Sequence, residues 1–264
     1  MKLFSEEAPE RFSAVDHVLF DIDDTITREG LLEEASFTTL WRLRESGIRA
    51  IPVTGRPAGW CDCIARQWPV DAVIGENGAF VMYMRDGKLL RVYNLEAPAL
   101  DSVRERLQTL RADILKRFPE ARIAKDQSFR LFDVAFDFAE EEPVLGLDFA
   151  ERIRSACEER GATAKISSIH VNAWFGSYTK KSMAAHVLSE LFGVKPEEFS
   201  DRVVFFGDSP NDEPMFRFFP LSCGVANLMN FKDHIEFFPP YITEQPSGKG
   251  FAEACRYIIA ARKR

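Results

Sequence analysis

Two apolar runs that each stop at an aspartate constrain this fold more than any other feature. Val18-Leu19-Phe20 is followed by Asp21-Ile22-Asp23-Asp24-Thr25, and Val203-Val204-Phe205-Phe206 is followed by Gly207-Asp208. Short runs of β-branched and aromatic residues predict buried strands. Ionised carboxylates at a buried strand end repel each other, so they persist where a cation or a chemical task compensates them. In an open α/β sheet, ligands bind at such carboxyl ends.

Two further segments lie between these runs. Ile51-Pro52-Val53 leads into Thr54-Gly55-Arg56, and a pair of lysines, Lys180 and Lys181, opens an amphipathic helix. Asp212 follows Asp208 by four residues, and Gly207 allows the tight turn that lets both carboxylates face one point. Asp24 is either a turn cap or part of the site. Arg56 is either a phosphate or substrate contact or a surface cation beside Pro57.

In this order the four segments resemble the haloacid dehalogenase superfamily of aspartate-nucleophile phosphohydrolases. The resemblance spans residues from about 18 to about 212. Asp24 stands where Gly is common in the family, and Ser182 stands where a Gly usually follows the lysine. Both lysines are candidates for the third motif, and the spacing from Lys181 to Leu188 favours Lys181.

The chemistry of such a site follows from its charges. A phosphate monoester dianion repels an anionic nucleophile unless cations neutralise the phosphoryl oxygens. We expect Asp21 to attack phosphorus and form an aspartyl-phosphate, and Asp23 to protonate the leaving oxygen and then activate water. Lys181 bridges phosphate and Asp21, and the Thr54 hydroxyl donates to a phosphoryl oxygen. With Gly55 and Arg56, Thr54 forms the expected substrate-binding segment.

The expected cofactor is Mg²⁺. This ion prefers octahedral oxygen ligation and retains several waters. Such ligation suits the Asp21 and Asp208 carboxylates, the backbone carbonyl of Asp23 and, directly or through water, Asp212. Asn211 is a further candidate, as a ligand of a metal-bound water or as a support of the metal ligands.

The long segment between Thr54 and Lys181 predicts an inserted domain. A βαβ crossover needs only a few dozen residues, far fewer than this segment contains. We expect an α/β fold with a Rossmann-like parallel-sheet core at residues 1–79 and 177–264, and an α+β cap at residues 80–176. Within the core, helical spacing from Leu32 to Leu43 predicts a helix, and residues 251–261 predict a terminal helix with the basic end Arg262-Lys263-Arg264.

Within the predicted cap, Phe80–Met84 and Leu89–Tyr93 flank Asp86-Gly87 and predict a β-hairpin. Residues 100–114 and 144–160 predict helices, and residues 129–138 and 164–175 predict strands. A cap between the second and third motifs resembles the class II type, found in sugar-phosphate phosphatases, Cof-like hydrolases and phosphomannomutases. Candidate contacts to the leaving group are Lys165, His170, Trp174 and, preferred among them, Arg130 and Asn172.

These features predict a cytoplasmic Mg²⁺-dependent phosphatase of a small phosphorylated metabolite, most simply a sugar phosphate. A phosphomutase and a noncatalytic phosphosugar-binding protein are the alternatives. The net charge of −7, from 34 basic and 41 acidic residues, argues against nucleic acid or an anionic membrane as partner. Five cysteines without zinc-site spacing are interpreted as reduced thiols. We expect a monomer or a small homo-oligomer.

Overall fold

The computed structural model describes residues 1–262, so Lys263 and Arg264 of the predicted basic end lie outside the described residues. The strands are β1 Lys2–Leu3, β2 His17–Phe20, β3 Thr27–Arg28, β4 Leu31–Leu32, β5 Arg49–Pro52, β6 Val73–Gly75, β7 Phe80–Arg85, β8 Lys88–Tyr93, β9 Arg122–Ile123, β10 Asp133–Asp137, β11 Thr163–Ile166, β12 His170–Trp174, β13 Val203–Gly207, β14 Leu221–Gly224 and β15 Tyr241–Ile242. The helices are α1 Glu34–Glu45, α2 Ala58–Gln67, α3 Leu100–Arg117, α4 Leu147–Glu159, α5 Lys180–His186, α6 Phe199–Arg202, α7 Glu213–Phe218 and α8 Ser247–Arg262.

A six-stranded parallel sheet in the order β1-β15-β14-β13-β2-β5 forms the centre of the core. Both faces are covered by helices, and so β2 and β13 are apolar at every position except His17 and Gly207. Val18 and Phe20 of β2 pack on the side of α1 and α8, whereas Leu19 packs on the side of α5 and α7. The prediction of an α/β fold with a Rossmann-like parallel sheet is confirmed.

Strand pairing joins the hairpin β7–β8 to the central sheet, so we propose that it is part of the core although the predicted boundary at residue 80 placed it in the cap. Strand β6 continues the central sheet through a parallel bridge between Val53 and Ile74. β7 then pairs antiparallel with β6, and β8 pairs with β7. The predicted hairpin and its Asp86-Gly87 turn are confirmed, and only residues 76–79 separate its partner strand β6 from the start of β7. We propose that the cap begins after Tyr93.

The cap is a four-stranded antiparallel sheet in the order β11-β12-β10-β9, with helices α3 and α4 packed against it. Both predicted cap helices are confirmed, with α4 shorter at each end than predicted. The predicted strand over residues 129–138 starts only at Asp133, because Lys125–Phe129 forms a 3₁₀ turn. The terminal helix α8 starts at Ser247, four residues before the predicted start at Phe251.

The two ends of the cap meet beside the core. A Cβ atom on Gly176 would lie 2.9 Å from the backbone oxygen of Glu96, so the chain leaves and re-enters the core at adjacent points. Closer to the site, Gly78 has φ +103° and its backbone lies against Thr179, where a Cβ would meet the Thr179 oxygen at 2.2 Å. This contact places the start of α5 directly beside the turn that follows β6.

Two compositional predictions concern the chain as a whole. Among residues 1–262, no helix is both long and apolar enough to cross a membrane. All five cysteines are free thiols, and only Cys63 is exposed. The structure is compatible with the interpretation of the cysteines as reduced thiols, which stays a prediction.

Candidate active site

Three aspartates converge at the carboxyl end of the central sheet. Asp21 follows β2 and Asp208 follows β13, and these strands are neighbours in register, with Phe20 paired to Phe206. Asp212 lies in the short helical turn before α7. Each of the three offers a carboxylate oxygen within 4.8 Å of the others, and all three are buried. The two acidic strand ends found in the sequence thus form a single cluster.

Local hydrogen bonds fix the orientation of this cluster. The Thr25 hydroxyl donates to Asp208 Oδ1 at 2.9 Å, and the Asp208 backbone N–H donates to Asp212 Oδ2 at 3.2 Å. Gly207 makes the second contact possible, because a Cβ there would lie 2.5 Å from Asp212 Oδ2. The remaining Asp208 oxygen, Oδ2, is buried and has no hydrogen-bond partner among residues 1–262.

Lys180, and not Lys181, contacts the aspartates, which corrects the sequence-based preference. Lys180 Nζ lies 2.8 Å from Asp21 Oδ1 and 2.9 Å from Asp212 Oδ1. Lys181 is exposed, with its Nζ 5.8 Å from the centre of the Phe218 ring. The reason is the start of α5: Thr179 caps the helix in a capping box with Ser182, so Lys180 takes the first helical position. Successive helical residues point about 100° apart, which turns Lys181 away from the site.

The cluster is short of positive charge. Burial raises the pKa of Asp21 to about 7, although Lys180 opposes the shift. Burial, with the charges of Asp212 and Asp21, raises the pKa of Asp208 well above its ordinary value. Burial alone would lower the pKa of Lys180, but Asp21 and Asp212 raise it. One lysine therefore faces three buried carboxylates, an arrangement that a bound cation stabilises.

The donor set fits a divalent cation such as Mg²⁺. Carboxylate oxygens are its preferred protein ligands. A metal ion at this site would give the buried Asp208 Oδ2 the partner that it lacks among the described residues. Asp21 and Asp212 would supply the other carboxylate ligands. Asn211 Oδ1 accepts the Ser209 hydroxyl at 3.0 Å and lies 3.5 Å from Lys180 Nζ, so its role near a metal stays a prediction. Coordination of a metal by the backbone carbonyl of Asp23 also stays a prediction.

The second motif lies next to this cluster. Thr54 is fully buried, and its Oγ1 accepts the Arg56 backbone N–H at 3.0 Å. Gly55 and Arg56 line a small cavity together with Asp21 and Asp23. Arg56 Nη2 lies 2.8 Å from Asp23 Oδ1, and the residue as a whole is only 4% exposed. Of the two interpretations of Arg56, the surface cation is therefore wrong.

Arg130 does not reach this cavity, which corrects the prediction that it contacts the leaving group. Its side chain is buried among Asp126 and Asp133, with nitrogen–oxygen distances of 3.0 and 3.1 Å. Arg130 Nη1 also donates to the Gly55 carbonyl at 2.9 Å. All three guanidinium nitrogens thus have protein partners, because these acidic partners surround the side chain. Arg130 joins the cap to the second motif.

The other cap candidates divide into two groups. Asn172 and His170 line the cavity with Asp21, together with Ser167 and Ser168. Asn172 is held by its Nδ2, which donates to Asp133 Oδ2 at 2.9 Å. Trp174 is buried and stacks on Tyr178, and Lys165 lines a separate groove between cap and core. Contact of Asn172 with a leaving group stays a prediction.

Sequence reasoning did not single out Glu76, although it is fully buried beside the second motif. Its carboxylate accepts backbone N–H groups from Ala58, Leu131 and Phe132. It thereby ties the start of α2 to the cap. Burial, more than the charge of Asp133, raises the pKa of Glu76 to about 8. The signal in the sequence is weak, a single Glu between Gly75 and Asn77, both of which suggest a turn.

Asp24 also has a conformational explanation. Its φ of +56° lies in the left-handed region, where Gly is favoured and Asp is tolerated. Its backbone N–H donates to the Thr27 hydroxyl at 3.0 Å. The turn interpretation accounts for its backbone, and Asp23 rather than Asp24 lines the cavity.

Comparisons with known proteins agree with this geometry. The family model of haloacid dehalogenase-like hydrolases matches residues 18–117. A curated relative, the phosphoglycolate phosphatase of Methanospirillum hungatei, is 28% identical over 248 residues, 90% of this chain and 94% of the relative.

Solved structures of the same fold extend over nearly the whole chain. A protein of Thermoplasma acidophilum superposes with a TM-score of 0.68 at 16% identity, covering 92% of this chain and 98% of its own. The sucrose-phosphatase of Synechocystis, solved with sucrose and phosphate, superposes with a TM-score of 0.63 at 16% identity. The match covers 93% of this chain and 98% of the sucrose-phosphatase. The chain is therefore similar to the haloacid dehalogenase-like hydrolases, the family that its four motifs resemble.

Proposed function

We propose that this chain is a Mg²⁺-dependent phosphomonoester hydrolase that works through an aspartyl-phosphate on Asp21. The observation that carries the proposal is the cluster of Asp21, Asp208 and Asp212 around Lys180, in which one buried carboxylate oxygen has no partner among the described residues. The phosphatase class itself agrees with the hydrolase family and with the named activity of the curated relative.

Each residue of the site has a role that follows from what its side chain contacts. Lys180 contacts Asp21 and would contact the phosphoryl oxygens as they approach the nucleophile. Mg²⁺ held by Asp21, Asp208 and Asp212 would supply the charge neutralisation that lets an anionic carboxylate meet a phosphate dianion. Asp21 attacks phosphorus, and Asp23, two residues further on, gives a proton to the leaving oxygen and later takes one from water.

The substrate class is a small phosphate ester. The cavity at Asp21 is lined on the cap side by Ser167, Ser168, His170 and Asn172, all groups that can hydrogen-bond a hydroxyl-bearing leaving group. The names of the relatives suggest two substrates for a first test. These are phosphoglycolate, from the curated relative, and a sugar phosphate, from the sucrose-phosphatase.

The test is phosphate release from a panel that includes both of these esters and p-nitrophenyl phosphate. We expect turnover with Mg²⁺, none in excess chelator, and inhibition by Ca²⁺, whose flexible coordination lets Asp21 bind through both oxygens. Asp21→Asn should lower kcat by about a thousandfold or more while the fold is kept. Full activity in chelator, or in Asp21→Asn, would contradict the proposal.

A further inference from the structure

Arg56 occupies an unusual position for a residue of the second motif, because it contacts core and cap at once. Its Nε lies 3.0 Å from both oxygens of Asp23, in the core. Its Nη1 lies 3.0 Å from Glu140 Oε1 and 3.5 Å from Asp126 Oδ2, both in the cap. The guanidinium is planar and rigid, so partners on one edge fix the direction of the other edge.

Glu140 is itself held in place by the cap. Its second oxygen lies 2.8 Å from His170 Nε2, and its backbone N–H donates to Asp137 Oδ1 at 2.8 Å. The hydrogen bond from His170 lowers the pKa of Glu140 to about 2, with Arg56 adding to the shift against the effect of burial. Glu140 is therefore a fixed anion between His170 and Arg56.

These contacts leave Arg56 little freedom to act as a simple phosphate ligand. Its three nitrogens already face carboxylates, and the Trp60 ring lies 4.3 Å from its Cζ. What the guanidinium does hold is Asp23, the proposed acid and base. The chain of contacts runs from His170 through Glu140 and Arg56 to Asp23, and so from the cap to the reacting proton.

We propose that Arg56 is a positioning residue that ties the orientation of Asp23 to the cap through Glu140 and Asp126. With the cap in place, Glu140 and Asp126 orient the guanidinium, which holds the Asp23 carboxylate at the cavity. With the cap displaced, Arg56 loses these partners and Asp23 loses its fixed orientation. Proton transfer is thereby restricted to the state in which the cap covers the site. The inference rests on the proposed function of Asp23.

The experiment compares Glu140→Gln and Arg56→Lys with wild type and with Glu141→Gln. Glu141 is adjacent to Glu140 and exposed, so it is a matched control. Two substrates separate the half-reactions: an alkyl phosphate, whose leaving group needs a proton, and 2,4-dinitrophenyl phosphate, whose leaving group departs without one. The burst of dinitrophenol reports formation of the aspartyl-phosphate alone.

We expect Glu140→Gln and Arg56→Lys each to lower kcat for the alkyl phosphate at least about tenfold, with KM within about threefold. The burst rate constant with dinitrophenyl phosphate should stay within about twofold of wild type, because that step does not need Asp23 as an acid. The kcat of the double variant should fall no further than that of the less active single variant, because both changes break the same chain of contacts. Glu141→Gln should match wild type.

Three results would overturn the proposal. They are a Glu140→Gln enzyme with unchanged kcat, a burst slowed as much as alkyl turnover, or a loss confined to KM. A measurement independent of turnover is the ¹³C carboxyl resonance of Asp23, assigned with Asp23→Asn. We expect it to move in Glu140→Gln and not in Glu141→Gln, and an unmoved resonance would sink the proposal even if no substrate is found. Absence of phosphate release by wild type would instead count against the proposed function.

Discussion

Two buried charged clusters lie on either side of the second motif, and they differ in how completely they are paired. Around Arg130, the guanidinium contacts Asp126 and Asp133, and the nearby Glu76 accepts three backbone N–H groups. Around Lys180, one ammonium contacts both Asp21 and Asp212, while Asp208 Oδ2 is buried with no partner in the part of the chain that the structure describes. The first cluster is complete within the protein, and the second is not.

The difference separates structural from chemical use of buried charge. A buried charge costs several kcal/mol unless it is paired, so a complete cluster can hold two domains together. An incomplete cluster is stable only when something else binds to it, which is what a cation and a phosphate would do. Both clusters contain acidic residues and one cation, so composition alone does not distinguish them.

The largest effect should come from breaking the complete cluster. Arg130→Met leaves Asp133 buried without its cation and Asp126 with only the 3.5 Å contact to Arg56, and breaking a buried pair in this way costs about 3–5 kcal/mol. We expect a matching fall in the free energy of unfolding, measured by urea titration at pH 7.5. Arg111→Met, an exposed position on α3, is the control and should change stability by less than about 0.5 kcal/mol. Equal stability of the two variants would mean that the Arg130 cluster does not support the fold.

The next effect should come from the incomplete cluster and should fall on rate. Lys180→Gln removes the only cation that contacts Asp21 in the described part of the chain, and we expect kcat to fall about 100- to 1,000-fold. Lys181→Gln is the matched control, one residue away and exposed, and its kcat should stay within about twofold. A larger loss in Lys181→Gln than in Lys180→Gln would restore the sequence-based preference for Lys181.

The smallest effect is a gain. Asp208→Asn removes a buried carboxylate whose charged form is disfavoured by burial, so the metal-free protein should be more stable by about 1–2 kcal/mol at pH 7.5. Mg²⁺ should raise the thermal midpoint of wild type but not of Asp208→Asn, because the variant lacks one of the carboxylates proposed to bind the metal. Asp233→Asn, at an exposed position, should behave as wild type in both measurements. A Mg²⁺-dependent shift retained in Asp208→Asn would remove Asp208 from the metal site.

The sequence predicted the parts of the fold and site that depend on short segments. The strand ends at Asp21 and Asp208 could be found because an apolar run and the acidic residue after it are contiguous. Gly207 and Asp212 followed from the same segment. The cap was predicted from the length of the insertion and from helical spacing within it.

What the sequence missed depends on how neighbouring segments pair and on the rotation of one helix. Lys180 and Lys181 differ only in which of them takes the first position of α5, and the Thr179 cap decides that. Thr179 and Ser182 at capping-box spacing were the available signal. Arg130 was predicted to contact the leaving group, but Asp126 and Asp133, four residues before and three after it, hold its guanidinium. The pairing of β7 with β6 cannot be read from the residues of either strand, so the sequence does not show that the hairpin β7–β8 joins the central sheet.

The order of strands in the central sheet has a consequence for how the chain is made. β2 and β5 leave the ribosome before the cap, but β13, which pairs with β2, and β14 and β15 beyond it follow the cap in the chain. The cap strands and helices are contiguous between Leu100 and Trp174 and can complete their sheet first. Domains generally fold as units during synthesis. We therefore expect the cap to form before β2 can pair with β13. Asp21 and Asp208 meet only after the C-terminal third of the chain has emerged.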